Sequence, residues 1–262
     1  EPESVTGRLT GKGGGDAGEE MTAHLHAWIN DLAGGQPYGS IVIHEGAVAA
    51  EWYGNGFGPD SLFEIGSIRK SFNSALIGQG LERGRIDLQK RASEVWPDLI
   101  RLGDPAKDAM ISLHHLASGV SGWLASEPPG TTFRYNNAAF TAAERVTARM
   151  LGLARGEIAP EVSRQFKSAL NAESWRCYHF EREFTPGDRD NPGPKLAIDS
   201  NLRDLAAWGE LWLKDGDWRG RRPISLDHSF SSEGNLDPKH CPTVKCSSPS
   251  STASSCSTAT GG

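Results

Sequence analysis

The chain has 262 residues, of which 37% are apolar and 23% charged, and its formal net charge is −6. This length is enough for one large domain or two lobes around a sizeable core, and the composition is that of an ordinary globular protein. The acidic balance, with no basic patch in the sequence, argues against a nucleic-acid partner. No apolar run reaches the roughly eighteen residues of a membrane span, so none is predicted.

The N-terminal part predicts a helix followed by an antiparallel strand pair. Residues 1–20 are polar and Gly-rich, which predicts a flexible lead-in without the apolar core of a signal peptide. Because the chain begins at Glu1 rather than Met, both secreted or periplasmic and cytoplasmic locations stay open. Apolar residues at helical spacing predict a helix over 21–32. Strands are predicted over 40–44 and 48–53, joined by a turn at residues 45 and 46.

Helical periodicity dominates the middle of the chain. It begins at Ser67 and continues to Gly84, a residue typical of a helix C-terminus. Further helical segments follow, and another helix is predicted over 202–214. The expected fold is α/β in the broad sense (α+β): an antiparallel sheet flanked by helices, together with an all-helical lobe over about residues 70–200.

The C-terminal part has a different character. Residues 229–262 are rich in Ser, Pro, Thr and Cys and have almost no apolar periodicity, so they are predicted to be a disordered tail. The domain itself is then predicted over 21–228. Cys241 and Cys246 have only His240 beside them, which is a poor zinc pattern. No metal site and no cofactor are predicted.

A Ser-x-x-Lys sequence, Ser67-Ile-Arg-Lys70, stands where the first long helix of the middle region begins. Residues three apart lie on one helix face, so the lysine can reach the serine hydroxyl. A serine hydroxyl becomes an effective nucleophile when a neighbouring base takes its proton. The spacing is common by chance, and the alternative is that Ser67 only caps the helix while Lys70 is solvated.

A second signal is rarer, because the chain has only four tyrosines. Tyr135 and Asn137 form a Tyr-x-Asn after the turn-forming segment 128–133. In an extended segment, residues two apart point to the same side, so a phenol and an amide can both face the Ser67–Lys70 pair. The alternative is a half-buried aromatic residue at the junction between a loop and a helix.

Together, Ser67-x-x-Lys70 and Tyr135-x-Asn137 resemble the first and second motifs of serine β-lactamases, penicillin-binding proteins and their esterase relatives. The likeness covers roughly residues 36–225 and includes Phe63-Glu-Ile-Gly before Ser67 and Pro129-Gly-Thr-Thr-Phe-Arg before Tyr135. The chain is more similar to the class C, esterase and amide-oligomer hydrolase branch than to class A enzymes.

The resemblance implies a serine hydrolase with its site at the seam between the two lobes. Ser67 is implied as the nucleophile that forms an acyl-enzyme, and Lys70 and Tyr135 as the groups that share its proton. Asn137 is implied to hold Lys70 and the substrate, and the backbone N–H of Ser67 to form half of an oxyanion hole. The implied substrate is a small molecule or peptide carrying an ester or amide: a lactam, a D-Ala-D-Ala peptide or a short amide oligomer.

The sequence departs from this family towards its C-terminal end. Relatives carry a third motif, Lys-Thr-Gly or a His-x-Gly or Trp-x-Gly variant, on a late strand. No Lys-Thr-Gly or Lys-Ser-Gly occurs here, and no further strands are recognisable after residue 225. A truncated or frame-shifted end with an incomplete sheet is therefore expected. Two alternatives follow: a non-catalytic member of the same family, and an unrelated helical binding module. The oligomeric state is left undetermined.

Backbone amides of residues 231–262 should exchange with solvent almost without protection, in contrast to amides of the predicted helix at 67–84. The tail offers too few large apolar side chains to offset the conformational entropy of ordering it, which is about 1–2 kcal/mol per residue. Hydrogen exchange followed by mass spectrometry measures both regions in one experiment. Strong protection across 231–262 would show that the tail completes the sheet.

Overall fold

The structure is a computed structural model that describes residues 16–153, 158–180 and 195–224. Two small antiparallel sheets and a set of helices make up this part of the chain, which confirms the predicted α+β class. In chain order the helices and strands are α1 (Asp16–Ala33), β1 (Tyr38–His44), β2 (Ala47–Gly54), β3 (Phe63–Glu64), α2 (Arg69–Glu82), α3 (Ala92–Val95), α4 (Pro105–Asp108), α5 (Leu113–Ala117), α6 (Asn137–Met150), α7 (Ala159–Val162), α8 (Ser168–Leu170), β4 (Arg176–Phe180), β5 (Lys195–Ser200) and α9 (Leu202–Leu213).

The first sheet is the predicted hairpin. Strands β1 and β2 pair antiparallel, with one irregularity between Val42 and Ile43. Glu45 and Gly46 form the turn, and both have positive φ, at 50° and 78°. Two successive residues with positive φ match the twist of the flanking strands, which is why a glycine is needed there. Helices α1 and α9 pack against this hairpin.

The second sheet has the strand order β3-β5-β4, with both pairs antiparallel. Its central strand, β5, has Leu196, Ala197 and Ile198 buried in succession. Two strands of this sheet, β4 and β5, lie inside the range of about 70–200 that was predicted to be helical. The prediction was wrong for these strands because each has only five or six residues, too few for a distinctive periodicity. Strand β5 pairs with β4 and also with β3, which lies far away in the sequence.

The helical region packs around α2, whose middle is buried on nearly all sides. Phe72 on α2 stacks on Trp208 of α9 at a centroid distance of 3.9 Å, and Trp175 meets the Phe72 ring edge-on at 5.1 Å. The six largest fully buried side chains among the described residues are all aromatic: Trp96, Trp123, Trp175, Trp208, Phe72 and Phe166. This packing fixes the position of α2 and of the Ser67 turn that precedes it.

Some of the sequence predictions fall at or beyond the edges of the described residues. Residues 16–20, part of the predicted lead-in, belong to α1, while the rest of the lead-in and the tail at 229–262 lie outside the described residues. The cysteine pair at 241 and 246 lies outside them as well. No helix in the described ranges is long and apolar enough to cross a membrane.

Leu76→Ala should lower the free energy of unfolding by about 2–5 kcal/mol, because it leaves a cavity in the core. Leu76 is only 1% exposed and lies in the middle of α2. Leu213→Ala is the matched control, since Leu213 is also helical but 80% exposed. Urea denaturation measures both variants. Equal losses of stability would contradict the packing described here.

Candidate active site

The turn that carries Ser67 is anchored to the second sheet. Strand β3 pairs with β5, and the N–H of Ile65 donates to the carbonyl of Ile198 at 3.0 Å. Gly66 follows with φ 58°, a left-handed conformation that glycine adopts without strain. A short 3-10 turn, Gly66–Ile68, then leads directly into α2. Ser67 therefore lies at the N-terminal end of a helix, where backbone N–H groups lack intrahelical partners.

The loop that carries Tyr135 is fixed by the residue after it. Asn136 caps α6, with its side-chain oxygen accepting from the N–H groups of Ala138 and Ala139. Its side-chain nitrogen donates to the carbonyl of Trp123 at 2.9 Å. Because Asn136 is turned inward to make these bonds, its two neighbours, Tyr135 and Asn137, point to the other side. This local geometry explains the Tyr-x-Asn spacing.

The four residues singled out in the sequence converge in the structure. Lys70 Nζ donates to Ser67 Oγ at 2.8 Å, to Tyr135 Oη at 2.7 Å and to Asn137 Oδ1 at 3.0 Å. Ser67 Oγ and Tyr135 Oη are themselves 2.6 Å apart. Ser67 makes no capping hydrogen bond to the helix. This geometry disagrees with the alternative in which Ser67 only caps the helix and Lys70 is solvated.

Counting hydrogens limits the protonation states that satisfy this cluster. An ammonium has three N–H donors, and Lys70 has three acceptors within reach. The Ser67–Tyr135 contact then needs one hydrogen, which the serine hydroxyl supplies. A charged Lys70, a neutral Ser67 and a deprotonated Tyr135 fill every contact once, and so does the tautomer in which a neutral Lys70 accepts the hydroxyl of a neutral Tyr135. In the first of these states the phenolate oxygen already accepts the serine proton in a hydrogen bond.

Burial lowers the pKa of Lys70, and the positive charges of Arg69 and Lys195 lower it further. The hydrogen bond to Tyr135 opposes this shift, because it favours the charged ammonium. The same ammonium also lies 4.9 Å from the centre of the Tyr135 ring and 5.4 Å from that of Phe140. Lys70 is therefore a partly desolvated lysine that gives up its proton more easily than a solvated one.

The hydrogen bonds from Lys70 and from Ser67 lower the pKa of Tyr135. The positive charges of Lys70 and Arg69 act in the same direction, while desolvation opposes them. Tyr135 is 53% exposed, so this residue contacts solvent as well as the cluster. The pKa values of Lys70 and Tyr135 are thus both lowered towards neutral pH. Because the two groups interact, they titrate as a pair.

Two charged residues behind the cluster were not singled out in the sequence. Arg69 on α2 forms a buried ion pair with Glu144 on α6. Glu144 also accepts the backbone N–H of Leu196 on β5 at 3.0 Å. A signal for this pair exists, since Glu144 is the one carboxylate between Ala142, Ala143 and Val146 on a helix with a buried face. A charge in such a place is normally paired.

A cavity of about 260 Å³ adjoins Lys70 on the side of α2 and α6. Asn73, Ser74 and Glu144 supply its polar wall, and Phe140 and Trp212 part of its apolar wall. The side-chain oxygen of Asn73 and the indole nitrogen of Trp212 are buried there without a protein partner. Across the described residues, no three His, Cys, Asp or Glu side chains are grouped closely enough to hold a metal ion.

Comparison with known proteins places these features in a family. The Beta-lactamase family model matches residues 38–228. Among solved structures, the chain is similar to a Bacillus anthracis protein assigned as a 6-aminohexanoate-dimer hydrolase, with 19% identity and a TM-score of 0.58. That alignment covers 75% of this chain but only 59% of the Bacillus protein, and at this identity it shows the fold alone. Since the family model spans most of its length, this chain belongs to the β-lactamase family and has that family's hydrolase fold.

Proposed function

We propose that this protein is a serine hydrolase that cleaves an ester or amide through an acyl-enzyme at Ser67. The observation that carries the proposal is the mutual hydrogen bonding of Ser67 Oγ, Lys70 Nζ and Tyr135 Oη, with all three separations between 2.6 and 2.8 Å. A nucleophile within hydrogen-bond reach of its base is the requirement for this chemistry. Membership of a hydrolase family supports the same reaction class.

In the proposed acylation step, the Tyr135 phenolate takes the proton of Ser67 while Oγ attacks the substrate carbonyl carbon. The electron pair of the carbonyl bond moves to its oxygen. This oxygen accepts a hydrogen bond from the backbone N–H of Ser67, which forms half of the proposed oxyanion hole. When the tetrahedral intermediate collapses, the bond to the leaving group breaks. Tyr135 returns the proton to that group and becomes a phenolate again.

Deacylation repeats these steps with water as the nucleophile. Water gives a proton to the Tyr135 phenolate and adds to the carbonyl carbon of the Ser67 ester. The second intermediate then collapses to release the acid product, and Ser67 Oγ recovers the proton from Tyr135. Throughout the proposed cycle Lys70 keeps its charge and stabilises the phenolate. The lowered pKa of Tyr135 favours the phenolate at a pH below that at which tyrosine usually ionises.

Asn137 is proposed to hold Lys70 and the substrate in register. Its side-chain oxygen accepts from Lys70 Nζ at 3.0 Å. The other end of the amide carries two N–H donors, which suit the carbonyl group of an amide or peptide substrate. Because Asn137 is exposed at the first turn of α6, a ligand can reach it directly.

The substrate class is proposed as a small molecule or peptide with an ester or amide: a lactam, a D-Ala-D-Ala peptide or a short amide oligomer. The Bacillus anthracis protein is assigned as a hydrolase of the 6-aminohexanoate dimer, which supports a short amide oligomer as the substrate. This chain spans less than two thirds of that protein. We also propose a domain over 21–228 with a low-complexity tail after it.

A second candidate is a family member without catalytic activity. The absence of Lys-Thr-Gly and Lys-Ser-Gly from the sequence favours it, because that motif supplies part of the oxyanion hole in relatives. Removing one oxyanion donor lowers the rate by about 10²–10³-fold in a well-studied protease. In the non-catalytic candidate Ser67 is not acylated, so covalent labelling of Ser67 distinguishes the two candidates.

A fluorophosphonate probe should attach covalently to Ser67, with formation of an Oγ–P bond and loss of fluoride. Ser67→Ala should abolish the adduct with little change in stability, because Ser67 makes no capping bond. Ser118→Ala is the matched control, since its hydroxyl only donates to the carbonyl of His114. Mass spectrometry of the intact protein and its peptides measures the adduct. No adduct on the parent protein would favour the non-catalytic candidate.

Tyr135→Phe should slow labelling of Ser67 by about 10²–10⁴-fold, the usual contribution of a general base. Tyr178→Phe provides the control, because Tyr178 is also exposed and its hydroxyl bonds to Asp199 instead of the cluster. The rate of adduct formation is followed by mass spectrometry over time. Labelling of Tyr135→Phe at the parent rate would remove Tyr135 from the mechanism and leave Lys70 as the base.

A further inference from the structure

Arg69 and Glu144 form an ion pair in the interior, directly behind the four-residue cluster. Arg69 is 4% exposed and Glu144 3% exposed, so both charges are almost fully removed from water. Burying a charge is costly unless it is paired and hydrogen-bonded. The second oxygen of Glu144 meets this condition by accepting the N–H of Leu196 at 3.0 Å.

The pair joins the three elements that carry the site. Arg69 lies between Ser67 and Lys70 in the sequence and begins α2. Glu144 lies two turns after Asn137 on the same helix, α6. Leu196 is on β5, the strand to which the Ser67 turn is anchored. A shift of α6 relative to α2 would therefore have to break or carry along this buried pair.

We propose that the Arg69–Glu144 pair is a positioning element of the site, which holds Tyr135 and Asn137 against Ser67 and Lys70 and balances the positive charge beside them. The inference rests on the proposed function for its catalytic meaning. Neither residue touches the reacting atoms, so each acts through the cluster. The pair goes beyond the four residues Ser67, Lys70, Tyr135 and Asn137 because Arg69 occupies a variable position of the first motif and Glu144 lies outside both motifs.

The electrostatic part of the argument follows from the charges that face the cluster. Arg69 lowers the pKa of both Lys70 and Tyr135. Lys195 on β5 acts on Lys70 in the same direction. On the other side, Glu64 on β3 favours the charged form of Arg69. Glu144 is the carboxylate in direct contact with Arg69, so its charge limits how far Arg69 acts on the cluster.

Substitution of the two partners should therefore move the titration of Tyr135 in opposite directions. Glu144→Gln leaves the Arg69 charge uncompensated, so the Tyr135 phenol should lose its proton at lower pH than in the parent. Arg69→Met removes the positive charge, so the same phenol should lose its proton at higher pH. A pair that only stabilised the fold would not produce shifts of opposite sign.

The experiment is an ultraviolet titration of tyrosine in the full chain. Each variant is made with and without Tyr135→Phe, and the difference isolates the Tyr135 phenol from the other tyrosines. Glu161→Gln is the matched control, because Glu161 pairs with Arg164 and has no hydrogen bond to the cluster. Shifts of the same sign, or none beyond that of Glu161→Gln, would overturn the charge-balancing role.

A doubly neutral variant tests the positioning role and covers the case in which a single variant fails to fold. Arg69→Met with Glu144→Leu removes both charges together, a replacement that folded proteins often tolerate. We expect fluorophosphonate labelling of Ser67 about 10²-fold slower than in the parent, the effect of a misplacement near 1 Å. Labelling at the parent rate would overturn the positioning role.

Failure of the inference is distinguishable from failure of the proposed function. If the parent protein forms no adduct at Ser67, the proposed function is wrong, yet the tyrosine titration still tests the charge balance. If the parent is labelled and the variants behave like it, the proposed function stands and the role of the Arg69–Glu144 pair is wrong.

Discussion

The hydrogen bonds of a single ammonium group organise this molecule's candidate active site. Lys70 has three donors and finds three acceptors, on Ser67, Tyr135 and Asn137, which belong to two separate segments of the chain. Each acceptor must lie within about 3 Å of one nitrogen, so α2 and α6 have very little freedom relative to each other. The buried aromatic packing around Phe72 and the Asn136 cap of α6 both serve this constraint.

Charge and burial act on this cluster in opposite ways. Burial alone would favour a neutral lysine and a neutral tyrosine, because it penalises both charged forms. The direct hydrogen bond between the two groups favours the ammonium and the phenolate. Where the two charged forms coexist, a phenolate lies beside the Ser67 hydroxyl, as the proposed mechanism requires. The hydrogen-bond count is compatible with this state, since it leaves no contact in the cluster without a hydrogen.

In the part of the chain that the structure describes, the candidate site is supported by two small, separate sheets. Within the described ranges, β1 pairs only with β2, while β5 supports the Ser67 turn through β3. The proposed nucleophile and base depend on the second sheet and on the helices, which the described residues include. For the proposed oxyanion hole, the sequence provides a single recognisable donor, the N–H of Ser67. In the proposed reaction, attack and stabilisation of the intermediate therefore depend on different parts of the fold.

The sequence by itself determined the hairpin, α2, α9 and the family, because periodicity, turn residues and short motifs are local properties. Ser67, Lys70, Tyr135 and Asn137 were found in the same way, since each motif is contained within four residues. Tertiary structure decided the rest. Strands β4 and β5 are too short to show a period and are defined by their pairing with each other and by the pairing of β5 with β3. The Arg69–Glu144 contact joins residues far apart in the chain, and only the packing of α2 against α6 reveals it.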